Sequence, residues 1–222
     1  MRNTSLLILT AVCGLAHATI TIDDFGTGNV SQTINAGTSI GFQNGSMVGG
    51  DRYTLTGVQS NPFGLEIQTD IAGGSYSLSS QGQVNGFGEV GYGFAPNGSG
   101  TTNQNLNLNL STENAFKFNF ESSDAPGSLI VSVRSSSSNG GNYATVTKAI
   151  PGNQVNTPFH MTVGFNEFAG INFNDIDQMV VRFDTGASGD LTLTSFEAVP
   201  EPGTMIALGL GALVAARKRR KA

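Results

Sequence analysis

His160, in the stretch PFHMTVGF, is the one imidazole beyond residue 18 of this 222-residue chain. A Ser-His-Asp arrangement needs a base, an acid that orients it and a nucleophile in reach. Serines are plentiful but no motif ties one to His160, so its simplest reading is a polar strand residue. Asp51, Glu66, Glu89 and Glu121 are the carboxylates that could pair across a glycosidic bond, the arrangement glycoside hydrolysis requires. Their spacing selects no pair. Zinc draws on Cys and His, and the chain has a single cysteine, Cys13. Oxygen ligands for a harder cation are better supplied. Asp23, Asp24 and Glu197 would converge on a structural calcium if the segments that carry them pair, and Asp175 and Asp177 stand two apart in NDID. The segment DIDQ lacks the glycine turn and closing glutamate of an EF-hand loop.

A carbohydrate site asks for flat aromatic rings beside hydrogen-bonding side chains. The chain has no tryptophan but four tyrosines, Tyr53, Tyr76, Tyr92 and Tyr143, among many Asn and Gln residues. Tyr92, in GEVGYGF, reads as part of a glycine-rich loop over a sheet.

The elements that must position these residues read as strands. AFKFNFE sets Phe116, Phe118 and Phe120 on one face and Lys117, Asn119 and Glu121 on the other. NLNLNL repeats the pattern with Leu106, Leu108 and Leu110. SLIVSVRS turns Leu129, Val131 and Val133 inward, and DQMVVRFD does so with Met179, Val181 and Phe183. Shorter strands are expected at 19–22, 39–42, 53–58, 63–69, 76–79, 88–94, 142–150, 159–164 and 191–196. NGSG, SSDAPGS, SSSSNGGN, PGNQ and TGASGD supply turns between them. No window of ten residues in this region has a helical period, and no fixed-length repeat is present. The expected fold is all-β, a single antiparallel β-sandwich of jelly-roll type over residues 19–198.

The two ends differ from this body. Arg2, the apolar run Leu6–Leu15 and Ala16-His17-Ala18 follow the order of a signal peptide, with cleavage after Ala18. Cys13 lies inside that run, so the mature body holds no thiol and no disulfide. At the other end, residues 199–222 read VPEPGTMIALGLGALVAARKRRKA. Residues 204–216 carry no charge and would span about 20 Å as a helix, short of the roughly 30 Å of a hydrocarbon core. The basic block Arg217, Lys218, Arg219, Arg220 and Lys221 would hold the cytoplasmic side. Without the ends, the body has five basic and fifteen acidic residues, a net charge of about −10. That balance argues against nucleic acid as a partner, since phosphate contacts need clustered Lys and Arg.

Pro200-Glu201-Pro202, the short apolar run and the arginine-rich end together resemble the PEP-CTERM sorting signal of exported bacterial proteins. The resemblance covers about 24 residues and implies processing, not activity. It implies passage through a signal peptidase, a transient stop in the inner membrane, and recognition by an exosortase that removes the tail outside the cytoplasm. Within the body, ITIDDFGTG (20–28) and GDLTLTSFEA (189–198) resemble the first and last strands of galactose-binding-like jelly rolls, whose two ends pair side by side. Thr194 and Ser195 stand where that family usually carries an acidic residue.

Two classes of function follow. The first is a non-enzymatic surface or matrix protein delivered to the envelope or to exopolysaccharide. The second is a carbohydrate-binding jelly roll, with no cofactor or with a structural calcium. A glycoside hydrolase is a third, more distant reading. An exposed cleft lined by tyrosines would favour the carbohydrate-binding module, and a uniformly polar surface the matrix protein.

Overall fold

The computed structural model describes residues 19–200 with the exception of Ser99. The strands are β1 (Ile20–Asp23), β2 (Val30–Ile34), β3 (Thr38–Asn44), β4 (Asp51–Ser60), β5 (Ile67–Ala72), β6 (Ser75–Ser80), β7 (Asn85–Tyr92), β8 (Phe94–Asn97), β9 (Gly100–Asn103), β10 (Ala115–Ser123), β11 (Gly127–Arg134), β12 (Tyr143–Ile150), β13 (Phe159–Gly164), β14 (Gln178–Thr185) and β15 (Asp190–Val199). They form two antiparallel sheets. One runs β13-β10-β15-β6-β5-β2, with β1 also on β15; the other runs β12-β11-β14-β7-β4-β3. A small hairpin pairs β8 with β9.

The alternation in the sequence dictates the layers. Phe116, Phe118 and Phe120 of β10 are buried while the residues between them face out. In the second sheet Leu129, Val131 and Val133 lie directly opposite Phe183, Val181 and Met179. The two inner faces meet ring to ring, with Tyr76 and Phe183 centroids 5.2 Å apart and Tyr92 and Phe196 6.0 Å apart. Phe118 stacks on Phe196 within its own sheet at 4.6 Å. This is the expected antiparallel sandwich.

One side of the interior is polar. Thr54 Oγ1 donates to Gln43 Oε1 and Thr56 Oγ1 to Gln32 Oε1, each at 2.7 Å. Beside them Arg52 crosses from one sheet to the other. Its Nη1 reaches Asp23 Oδ2 at 2.6 Å, and its Nη2 donates to the carbonyls of Thr27 and Gly28. Tyr92 donates its hydroxyl to the same Asp23 oxygen at 2.9 Å.

Strand β15 runs through the centre of its sheet. β10 lines its whole length on one edge; on the other, β6 pairs with residues 190–193 and β1 with residues 196–198. Because Ile20 pairs with Ala198, residues 19 and 200 emerge side by side at one pole. The turns carrying Phe63 and Val155 lie at the opposite pole, and both side chains are exposed.

Some sequence expectations need correction. NLNLNL forms no strand: Asn107 has a positive φ of 50°, and Leu106, Leu108 and Leu110 instead hydrogen-bond to the irregular segment 173–177. The side-chain alternation is real, but its partner is a loop. The strand expected at 63–69 begins only at Ile67, because Asn61 clamps the preceding turn through the backbone of Leu65. Tyr92 lies in β7 and is fully buried, not in a loop over the sheet. β2, reading VSQTI, was not expected, since Gln32 occupies its central inward position. The signal peptide 1–18 with Ala16 and Ala18, Glu201 and Pro202, the apolar run 204–216 and the basic residues 217–221 lie outside the described residues.

Candidate functional site

The outer face of the six-stranded sheet carries a patterned surface that the register makes explicit. One row across the strands reads Ile40, Leu55, Glu89, Arg182, Ile130 and Thr147. The row on one side reads Phe42, Tyr53, Gly91, Val180, Ser132 and Thr145, and the row on the other Thr38, Gly57, Phe87, Asp184, Ser128 and Ala149. Phe42, Leu55, Phe87 and Val180 are half-buried, leaving apolar surface open between charged neighbours.

Two glycines shape that surface. A Cβ at Gly91 would lie 2.1 Å from a ring carbon of Tyr53, and a Cβ at Gly57 would lie 2.3 Å from the ring of Phe87. Each glycine therefore gives a ring on the neighbouring strand room to lie down across the sheet. Phe94 of β8 packs edge-on to Tyr53 at 5.0 Å and fixes it from the side.

The charged groups are equally fixed. Tyr53 donates its hydroxyl to Glu89 Oε1 at 2.5 Å. Arg182 lies over the Phe87 ring, 3.6 Å from its centroid, and its Nε donates to Asp184 Oδ1 at 2.6 Å. Burial raises the Glu89 carboxyl above the ordinary carboxylate value; the Tyr53 hydrogen bond and the Arg182 charge pull it back in part, and Asp184 adds to the rise. Burial, then the Glu89 charge, push the Tyr53 phenol up. Tyr143, partly exposed at the start of β12, is raised by the partial burial of its phenol against the opposing pull of Arg134. Tyr53 is itself buried and Arg182 covers the Phe87 ring, so the face presents half-buried Phe42, Leu55 and Val180 beside a fixed charged row of Glu89 and Arg182, with Asp184 next to it.

A second concavity lies on the other sheet. A groove of about 490 Å³ runs beside Asn119, Phe120, Glu121, Pro158, Phe159, His160 and Thr194. Two register shifts between β10 and β15 fall at this point and leave Thr194 and Glu121 without a direct partner. His160 stands opposite Asn119 on the edge strand β13.

The residues singled out by sequence distribute unevenly over these surfaces. Tyr53 and Glu89 are joined on the six-stranded face, while Tyr76 and Tyr92 belong to the core. Asp51 lines a small cleft of about 130 Å³ with Gly93, Phe94 and Gln104. Glu66 precedes β5 and Glu121 lies in the groove, both remote in register from Glu89. Asp23, Asp24 and Glu197 do not converge. Asp23 is 1% exposed and faces Arg52 inside the sandwich. Asp24 turns to solvent and accepts from the Gly26 amide at 2.9 Å. Glu197 lies on the outer face, accepting from Asn119 at 3.0 Å and from Ser195 at 2.8 Å. The register shift between Thr21 and Asp23 accounts for the separation, since it turns Asp23 inward opposite Phe196. Asp177 is fully buried and accepts from the Ser136 amide, so it serves the turn after β11. Among the described residues no three His, Cys, Asp or Glu side chains are grouped to hold a metal ion.

Sequence reading missed Phe42, Phe87, Arg182 and Asp184 as surface groups. VVRFD does place Arg182 and Asp184 on one face, and that signal was available. That Phe87 crosses Gly57 becomes visible only once the register is known.

Comparison with known proteins bears mainly on the chain's end. Residues 198–221 match the PEP-CTERM protein-sorting motif. A chain with this motif is an exported one that passes through the membrane to the cell surface. No curated protein matches the chain. Among solved structures, it is similar to the family 11 carbohydrate-binding module of a cellulosomal cellulase of Clostridium thermocellum, at 12% identity over 83% of this chain and 96% of that one, with a TM-score of 0.40. A solution structure of CtCBM11 gives 12% identity, 85% and 99% coverage and a TM-score of 0.44. A family 29 carbohydrate-binding module complexed with cellulohexaose gives 8% identity, 83% and 92% coverage and a TM-score of 0.37. Among the described residues no helix is long and apolar enough to cross a membrane.

Proposed function

We propose that this protein is an exported, non-catalytic glycan-holding module of the cell envelope or its matrix, sorted and trimmed by an exosortase through its tail. The observation that carries the glycan reading is the outer face of the six-stranded sheet, where half-buried Phe42, Leu55 and Val180 and the Arg182 guanidinium, stacked on Phe87, lie beside Glu89 and Asp184 over a buried Tyr53. Pyranose rings present C–H-rich faces that pack on flat aromatic surface, and their hydroxyls take paired donors and acceptors at the edge. A pre-positioned mixture of rings and charged groups offers both. The body's net charge of about −10 favours a neutral polysaccharide over a uronic-acid polymer.

The test is binding of the body, residues 19–199, to neutral and to anionic polysaccharides by isothermal titration. The expected result is binding to a neutral polymer that falls at least about tenfold in Phe87→Ala and in Arg182→Ala, the loss of roughly 1.4 kcal/mol. The Thr145→Ala substitution, distant on the same face, should leave binding unchanged. Wild-type protein that binds no glycan would leave the matrix reading without a ligand-holding role. Cleavage of the polysaccharide during titration would instead point to hydrolase chemistry.

A further inference from the structure

Strand β15 does not taper into a linker before the sorting motif. Ala198 pairs with Ile20 on one edge and Phe116 on the other, and Val199 pairs with Ala115. The Val199 carbonyl accepts from the Asn114 amide at 3.0 Å. Phe196 and Ala198 are buried, so these last rungs belong to the core. The motif match starts at residue 198, inside the strand, and Pro200 is the next residue after it. Two residues separate Val199 from Pro202, so the three steps between them reach at most about 10 Å of extended chain. Residue 19 leaves the same pole, beside the tail.

A protease that holds its substrate as an added strand needs the main-chain groups of several residues before the cut. Here the nearest of those residues, Val199 and Ala198, already spend those groups on β10 and β1. We propose that the β1-β15-β10 ladder gates removal of the tail: the tail is cut from chains in which the rungs at Ala198 and Val199 are open, and closure of the ladder shuts processing off. Processing thereby competes with completion of the fold. The cut itself breaks one peptide bond with one water: the water oxygen goes to the acyl carbon, leaving a carboxylate on the body, and the departing nitrogen takes a proton as the tail's new amine. This inference rests on the sorting reading given above.

A cross-link of the last rung tests it. Directly opposed antiparallel residues have Cα atoms about 4.5–5.5 Å apart, within the range of about 4.4–6.8 Å that a disulfide accepts. The only native cysteine is Cys13, ahead of the body. The full chain carrying Ala115→Cys and Val199→Cys is expressed in the native host with a functional exosortase, and tail loss is followed by pulse-chase and intact mass. The oxidised chain should lose its tail at least about tenfold more slowly than the same chain under reductant. Eight Gly/Ser residues inserted between Val199 and Pro200 of the oxidised chain should restore the wild-type rate. Tail loss from the oxidised chain at the reduced rate would overturn the gate, as would an inserted linker that leaves processing slow. A wild-type chain that keeps its tail in this host would overturn the sorting reading itself, and is told apart because the reduced and linker-bearing chains would keep theirs as well.

Discussion

Glu89 shows how a single surface residue is prepared. It is a half-buried acid on an open sheet face, held by the Tyr53 hydroxyl and opposed in register to Arg182. Burial raises its carboxyl above the ordinary value of 4.5, and its two partners recover only part of the rise. The folded state therefore binds this proton more tightly than the unfolded chain does. The resulting contribution to stability is fully present below pH 4.5 and is lost as pH rises through the elevated folded value. A Glu89→Gln variant, uncharged throughout, should lack that slope. Chemical denaturation at stepped pH should show wild type losing stability relative to the variant as pH rises above 4.5; a constant difference would contradict the burial argument.

Strands β4 and β7 act as a pair in which glycine on one answers an aromatic ring on the other. Gly57 opposes Phe87 and Gly91 opposes Tyr53 in direct register. Gly91 has no positive φ, so the reason for glycine there is space, not backbone conformation. Gly91→Ala would drive a methyl group into the Tyr53 ring, lift the ring from the sheet and disturb its hydrogen bond to Glu89. Loss of binding to the neutral glycan by at least about tenfold is expected, with the body still folded by circular dichroism. Unchanged affinity in a folded Gly91→Ala body would show that Tyr53 does not position Glu89 for a ligand.

Across the whole molecule, the two sheets are tied at one side by charge rather than by hydrocarbon. Arg52 of β4 is fully buried and spans to Asp23 of β1 and to the carbonyls of the following turn. Its Nε has no partner among the described residues, so the tie is not fully compensated there. Arg52→Met would leave the Asp23 carboxylate buried and unpaired, and should cost about 3–5 kcal/mol in unfolding experiments. Asp23→Asn combined with Arg52→Met should cost less than the two single losses added. An additive double variant would show that the pair is not coupled. Because β1 also holds the end of β15, this tie bears on the same pole from which the sorting tail leaves.

The alternation of apolar residues in β10, β11 and β14 specified strands by itself, because a period of two leaves one face that must be buried. The sorting motif was equally local: Pro-Glu-Pro, an apolar run and a basic block are legible without a fold, and residues 198–221 match it. Pairing was not. The Leu106–Leu110 alternation looked like a strand until Asn107 and the partner loop decided otherwise. Asp23 looked like a cation ligand until a register shift turned it toward Arg52, 29 residues away in the chain. The outer face proposed to hold a glycan is assembled from residues 42 to 184, so no window of sequence contains it. Local pattern sets what each segment wants to bury; only register and the meeting of distant strands set which polar groups end as neighbours.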